Sequence, residues 1–517
     1  MAGVTYYCNN LPAGTNGYGA GDDATLDASN KLTPFLTANA ALDFLNSTSR
    51  NGDTMMFNDG TYTYTNGDGR IFYGNEGISI LFENDFATRL IFSGSQSQGL
   101  RFNGHSSNET SYHVGKCFIS GTNAAKKNTV AFVKTGSVPR LNMSFQAVVL
   151  PNTDVLDANQ ENNYGVICQH ENLDLTLSGG LYDLDGGRYV HNSASQEESY
   201  GFIALGFSSS LSPEHFNLNV TEFIVDAEVP LLGGGGLIYL NANNKISSGA
   251  WKVSGVTGYI KDNNMLGLTN TSFTVCLENA PDGSTIEEND NVTHESASTL
   301  RGIGAWQIRA PEGNGVQSDN CEIKNNKNWT GYSHSGKGFL AVMGAEGGID
   351  DGSPDASAYH LMENSNIYGN EFTVTTNPGL TNSIHGICHI GAPTGSRYDN
   401  IVDGASIGSL AKRSASQSYE NTYRNISGGS NVYLYAKGGS AGASFSRERC
   451  EITNDFDGRI EQAILDSTVV TPPTTIYSDS IVFEDNIVVG AGGDYLTSDG
   501  ELIFIGTSVD TSTATVL

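Results

Sequence analysis

The segment GGLYDLDGGRYVH at 179–191 places Asp183 and Asp185 two residues apart. In an extended strand both carboxyl groups then project from one face, with Arg188 and His191 just behind them. Two neighbouring carboxyl groups, one protonated to assist a leaving oxygen and one ionised to activate water or to attack, are what hydrolysis of a glycosidic bond requires. Asp183 and Asp185 would be the catalytic pair, and Arg188 and His191 would hold substrate. The same DLDGG sequence also suits an acidic turn at a corner of the chain.

A second cluster, SHSGKGFLAVMGAEGGIDDGSPDASAYH at 333–360, gathers His334, Lys337, Glu346, Asp350, Asp351, Asp355 and His360 in a Gly-rich stretch. Glu346 and Asp350 are its candidate catalytic acids. Eliminative cleavage would instead need a base and a cation facing a uronate carboxylate, and Lys337 with His334 or His360 offers both. A calcium-stabilised acidic loop is the structural alternative, and no other cofactor is expected. HGICHIG at 385–391 would set His385 and His389 as a metal pair on a helix. Ile384, Ile387, Ile390 and the flanking glycines favour a strand, where residues four apart lie about 13 Å from each other, so no metal is expected there. Trp251, Trp306 and Trp329, with YYC at 6–8, YTY at 62–64 and YLY at 433–435, offer flat faces on which sugar rings can stack. Ordinary packing in and on a β core uses the same residues.

The element that must begin any scaffold for these groups runs from Thr33 to Tyr64. Ala38, Ala41, Leu42 and Leu45 recur at helical spacing, which predicts a helix at about 34–47 with Thr33 as its cap and Pro34 in its first turn. Gly52 follows where the chain must turn. Thr54–Phe57 and Thr61–Thr65 then read as a tight pair of strands about Asn58-Asp59-Gly60, with Tyr62 and Tyr64 on one face.

Composition describes the remainder. The 517 residues include 62 Gly and 16% charged residues, with few helical signals after residue 50, as expected of many short strands joined by many turns. Against 27 Lys and Arg stand 56 Asp and Glu, a formal charge of −29, which disfavours nucleic acid or any other polyanion as partner. Seven widely spaced cysteines read as small buried apolar residues rather than as a disulfide or zinc framework. Met1 leads into AGVTYYCNN without a basic or apolar leader, so neither Sec export nor membrane insertion is expected.

From about 52 to 466 a short alternating apolar run ending in an Asn, Asp or Gly turn returns repeatedly: CFISGTNAA, CEIKNNKN, SNIYGNEF, NIVDGASIG, RNISGGSNVYLYA, CEITNDFDGRI. Ile367, Ile401, Ile426 and Ile452 stand 34, 25 and 26 residues apart. Unequal spacing of one frame predicts stacked coils that share strands and differ in loop length. The entry PFLTANAALDFLN…GDTMMFNDGTY, together with SNIYGNEF and CEIKNNKN, resembles the right-handed parallel β-helix of the pectate-lyase-like superfamily. That group includes polysaccharide lyases, glycoside hydrolases and trimeric phage tailspikes.

The resemblance implies an all-β solenoid over 33–466, with the helix capping its first coil. Residues 1–32 would be an irregular arm that docks on a particle. After Ser467 a Pro-Pro break and two or three hairpin-connected strands, 467–517, would form a trimerisation or capping module. The expected role is a virion surface protein, a tailspike or tail fibre, that engages cell-surface polysaccharide and joins other tail proteins through its arm as a homotrimer. A free polysaccharide lyase or hydrolase, or a purely structural fibre, are the other roles open to such a fold.

Overall fold

The computed structural model describes the N-terminal third with short breaks and, beyond it, the strands and many of the corners between them as far as Ile505. Residues 151–163, 184–202, 262–272, 296–305, 346–361, 425–433, 452–462 and 506–517 are among those not described. The chain divides into two compact units, Met1–Tyr259 and Ile260–Leu517.

In the first unit, strands recur coil after coil in the same three positions. Thr5–Cys8, Asp53–Phe57, Gly77–Phe82, Thr110–Val114, Leu141–Phe145, Asn172–Ser178, His215–Thr221 and Trp251–Ser254 pair in parallel, in that order. Between successive members the chain visits two further parallel stacks, for example Gly60–Tyr64 and then Arg70–Phe72 before Gly77–Phe82. Parallel pairing of each strand with its equivalent one turn later defines the architecture. In each unit the chain winds as a parallel β-helix.

The interior is a set of columns rather than a sphere. Tyr6, Met55, Ile80, Val114, Phe145, Leu177, Val220 and Val253 are successive register partners. All are at most 7% exposed, so each coil contributes one apolar residue to a continuous column. Among the described residues Cys8, Cys117, Cys276, Cys321 and Cys388 are buried and form no disulfide.

The predicted helix is present at Ala38–Leu45, with Ala38, Ala41, Leu42 and Leu45 buried as the spacing required. It packs against the strands Thr5–Cys8, Asp53–Phe57 and Gly60–Tyr64. Its cap is Thr37 rather than Thr33. The Thr37 hydroxyl accepts from the Ala40 N–H at 3.2 Å and donates to Asp23 at 2.7 Å. Residues 33–36 are taken up instead by backbone bonds to the N-terminal segment, with Phe35 N–H donating to Tyr7 and Pro34 O accepting from Asp22.

Two other expectations change. Asp53–Phe57 and Gly60–Tyr64 do not pair with each other; they meet at a coil corner and each continues a different parallel stack. Residues 1–32 are not irregular throughout, because Thr5–Cys8 is a strand that pairs in parallel with Asp53–Phe57. Asn9 then ties the following loop down, its amide donating to Leu11 O and Gly19 O while its carbonyl accepts from the buried Asn58.

In the second unit the same three positions repeat. One stack comprises Thr285–Glu287, Glu322–Lys324, Asn366–Tyr368, Ser396–Tyr398, Gln417–Tyr419 and Ser444–Ser446. Past residue 466 the pairing changes sense. Ser480–Val482 and Ile487–Val488 lie antiparallel on Arg449–Glu451 and Ser444–Ser446, and Asp494–Leu496 pairs antiparallel with Leu502–Ile505.

Candidate functional site

Of the residues singled out from sequence, Asp183 ends the strand Leu181–Asp183, in register with Asp226 on the next coil. Asp185, Arg188, His191, His334, Lys337, Glu346 and Asp350 lie outside the described residues. The three tryptophans are interior: Trp251, Trp306 and Trp329 are at most 1% exposed, and Trp306 and Trp329 stack at 4.3 Å. Tyr62 and Tyr64 are buried as well. None of these rings is available to a sugar, because each fills the wide lumen of a coil. His385–Ile390 is a strand, as its isoleucines indicated, and His389 faces inward, fully buried, its pKa pushed down by burial and by nearby Arg397.

The described residues carry a different constellation, and a repeated corner positions it. In the second unit five coils turn through a residue of positive φ followed by a buried asparagine: Glu288-Asn289, Asn325-Asn326, Gly369-Asn370, Asp399-Asn400 and Glu420-Asn421. The left-handed conformation bends the chain out of one stack and into the next. Each asparagine amide donates to the carbonyl of the next, Asn289 to Asn326, Asn326 to Asn370, Asn370 to Asn400 and Asn400 to Asn421, at 2.8–2.9 Å. Buried polar groups bonded in this way fix the rungs in register.

Immediately before that corner lies an outward row. Glu287, Lys324, Tyr368, Tyr398 and Tyr419 are register partners on five successive rungs. Their inward neighbours Ile286, Ile323, Ile367, Arg397 and Ser418 are buried. Tyr368 and Tyr398 stack with centroids 4.8 Å apart, and Tyr398 and Tyr419 follow at 5.0 Å with their planes 1° apart. The spacing is that of neighbouring strands.

At the head of the row Lys324 Nζ donates to Glu322 at 2.5 Å and pairs with Glu287 at 3.2 Å, while the Tyr368 hydroxyl donates to Glu322 at 3.4 Å. Partial burial alone would lower the Lys324 pKa. The hydrogen bonds and charges of the two carboxylates outweigh it and hold the ammonium above its usual range. Burial, then the neighbouring phenols, pushes Tyr398 up to about 12; burial and Glu322 raise Tyr368. Both phenols therefore keep their protons at neutral pH and can donate hydrogen bonds. The charged trio, two carboxylates and one ammonium, sums to −1, so this face gives no attraction to an anionic ligand. It offers a flat ridge of ring edges with one hydroxyl per rung.

No family model matches the chain, and no curated protein matches it with significance. Several solved structures show similarity, among them three that by name act on or bind saccharides. The A-module of the Azotobacter vinelandii mannuronan C-5 epimerase AlgE4 aligns at 13% identity and a TM-score of 0.34, over 76% of this chain and 95% of that one. The alginate lyase AlyF-OU02, solved with a ligand designated G6, aligns at 13% and 0.32, over 92% and 90%. The tailspike protein of E. coli bacteriophage HK620, in complex with a pentasaccharide, aligns at 10% and 0.30, over 91% and 89%. The fold assignment rests on this chain's own strand pairing. Among the described residues no helix is long and apolar enough to cross a membrane.

The tyrosine row escaped the sequence reading although its segments were in view. IYGN, RYDN and SYEN each carry a tyrosine two residues before the ladder asparagine. That offset, repeated three times, was the available signal.

Proposed function

We propose that this protein engages a polysaccharide along the outward row Glu287–Lys324–Tyr368–Tyr398–Tyr419, as a virion surface protein of the tailspike or tail-fibre kind. The observation that carries the reading is the three tyrosines stacked in register at 4.8 and 5.0 Å. A polysaccharide repeats along its length, and so does a β-helix along its axis. A row of protonated phenols, one per rung, can therefore hydrogen-bond successive sugars. Amphipathic phenol rings add apolar contact at small entropic cost, because the neighbouring rings already hold each one. The glycan is uncharged or amine-bearing, since both the local trio and the whole chain at −29 repel uronates. The change to antiparallel pairing past residue 466 suits a segment that ends a shaft and associates with its copies.

Affinity electrophoresis through gels containing a neutral, an amine-bearing or a uronate polymer tests the binding. Retardation by one of the first two and not by the third is expected; retardation only in the uronate gel overturns the charge argument. Light scattering tests the assembly. A mass near three times 54.9 kDa is expected, and a stable monomer at micromolar concentration counts against the spike.

A further inference from the structure

The outward face of the first unit holds a hydrogen-bonded chain that glycan binding does not use. His215 opens the strand His215–Thr221, in parallel register with Asn172 on the coil before and bridged to Ser248 on the coil after. Its Nε2 lies 3.0 Å from Asp174 Oδ1 and its Nδ1 lies 2.9 Å from Ser248 Oγ. Asp174 is held in place by Arg140 Nε at 3.2 Å on its other oxygen and by the Asn217 amide, which donates to Oδ1 at 2.7 Å. Asn217 in turn accepts from the Ala250 N–H at 2.9 Å, so the network closes on the segment that carries Ser248. The carboxylate and imidazole are largely covered, with side chains 25% and 12% exposed, whereas Ser248 is exposed.

The backbone around the serine is also constrained. Gly249 has φ +110°, and a Cβ there would lie 2.2 Å from the Phe216 carbonyl oxygen, so the turn after Ser248 is pressed against the strand of His215. The Gly249 N–H makes no hydrogen bond among the described residues. It is the donor that follows the serine, where serine hydrolases of the nucleophile-elbow kind place one oxyanion contact.

We infer that Ser248, His215 and Asp174 form a nucleophile, base and orienting carboxylate that hydrolyse a carboxylic ester presented on an exposed molecule. Order of residues along the chain and choice of ring nitrogen do not define such a group; roles and geometry do. With the Nε2 proton donated to Asp174, Nδ1 is free to take the Ser248 proton as Oγ bonds to the ester carbonyl carbon. That proton passes to the departing alkoxide, the carbon–oxygen bond breaks and the alcohol leaves. Water then attacks the acyl-serine, giving a proton to the same nitrogen; the bond to Oγ breaks, Oγ takes that proton back, and the carboxylic acid leaves with Ser248 restored. The Glu214 carbonyl, 3.2 Å from Oγ, competes for the serine proton at rest.

The test uses the full chain. It is incubated with a fluorophosphonate that labels activated serines, followed by intact-mass and peptide mass spectrometry, with p-nitrophenyl acetate hydrolysis measured in parallel. The expected result is an adduct on Ser248, absent from Ser248→Ala, and formed about 100-fold more slowly or worse in His215→Gln at an unchanged melting temperature. No adduct on Ser248 in the parent, or labelling of His215→Gln at the parent rate, overturns the inference. Should His215→Gln fail to fold, Ser248→Ala decides alone. Its substitution is at an exposed position; loss of ester hydrolysis supports the site and an unchanged rate overturns it.

Discussion

The phenol rings of Tyr368 and Tyr398 lie 4.8 Å apart with their planes 3° from parallel, although 30 residues of sequence separate them. They belong to neighbouring strands in register, and each is anchored by an inward partner on one side and a buried asparagine two residues on. The rings are therefore placed by the backbone and need not be ordered by ligand. Tyr398→Ala removes the central ring while leaving the lumen untouched. Glycan affinity should fall about tenfold, while stability drops only by the two lost cross-strand ring contacts, about 1 kcal/mol in all. Tyr398→Phe keeps the stack and deletes the hydroxyl, so titrating both variants against the retarding polymer separates ring contact from hydrogen bonding.

Titration of the row has a defined sign. Tyr398 is raised from the model-peptide value of 10.0 to about 12 in the folded chain, so the folded state favours the neutral phenol. Its stabilising contribution is fully present below pH 10 and is lost as pH rises through about 12. Phenolate absorbance followed during alkaline titration should show a late-titrating tyrosine that disappears in Tyr398→Phe. Glycan retardation should be lost over the same interval.

Lys324 neutralises two carboxylates that would otherwise face each other across adjacent rungs. Lys324→Met should destabilise the second unit by about 1 kcal/mol or more, because it leaves two largely covered carboxylates, 10% and 26% exposed, facing each other without a cation. Adding Glu287→Gln should recover part of the loss, since the two changes share one interaction. Urea midpoints of the parent, single and double variants check it; additive losses would mean the pair does not interact.

The asparagine ladder predicts a larger effect. In Asn370→Ala the Asn326 side-chain amide keeps only its bond to the Ile286 carbonyl, the Asn326 backbone N–H loses the same Asn370 acceptor, and the Ile323 carbonyl loses the Asn370 donor, all in the buried interior. Buried groups stranded in this way cost about 1–3 kcal/mol each. The urea midpoint should drop far more than for Asn364→Gly, which removes an exposed amide 3.5 Å from its partner at a position of φ +51° that glycine adopts freely.

How much of this was legible in sequence follows from what periodicity can encode. The helix could be read because Ala38, Ala41, Leu42 and Leu45 carry their own face within eight residues. Repeated Asn turns announced the coils for the same local reason. Thr33 misled because Pro34 favours a first helical turn, while the chain used residues 33–36 to bind the strand Thr5–Cys8. The row of tyrosines was hidden because alternation tells which face a side chain takes but not which rung lies beside which. Arg397 was hidden differently: it occupies the inward slot that Ile323 and Ile367 fill on preceding coils, and no hydropathy pattern places an arginine there. The Asp174–His215–Ser248 chain draws on three coils, 41 and 33 residues apart, and shares that blindness.

The ladder asparagines are separated by 37, 44, 30 and 21 residues, yet their amides meet at one distance. Coils of unequal length thus keep their neighbours' alignment. Insertions and deletions away from the corner are neutral to the row beside it. Loops between the strands can therefore differ from coil to coil in length and chemistry, while the asparagine corner keeps the three tyrosines in line.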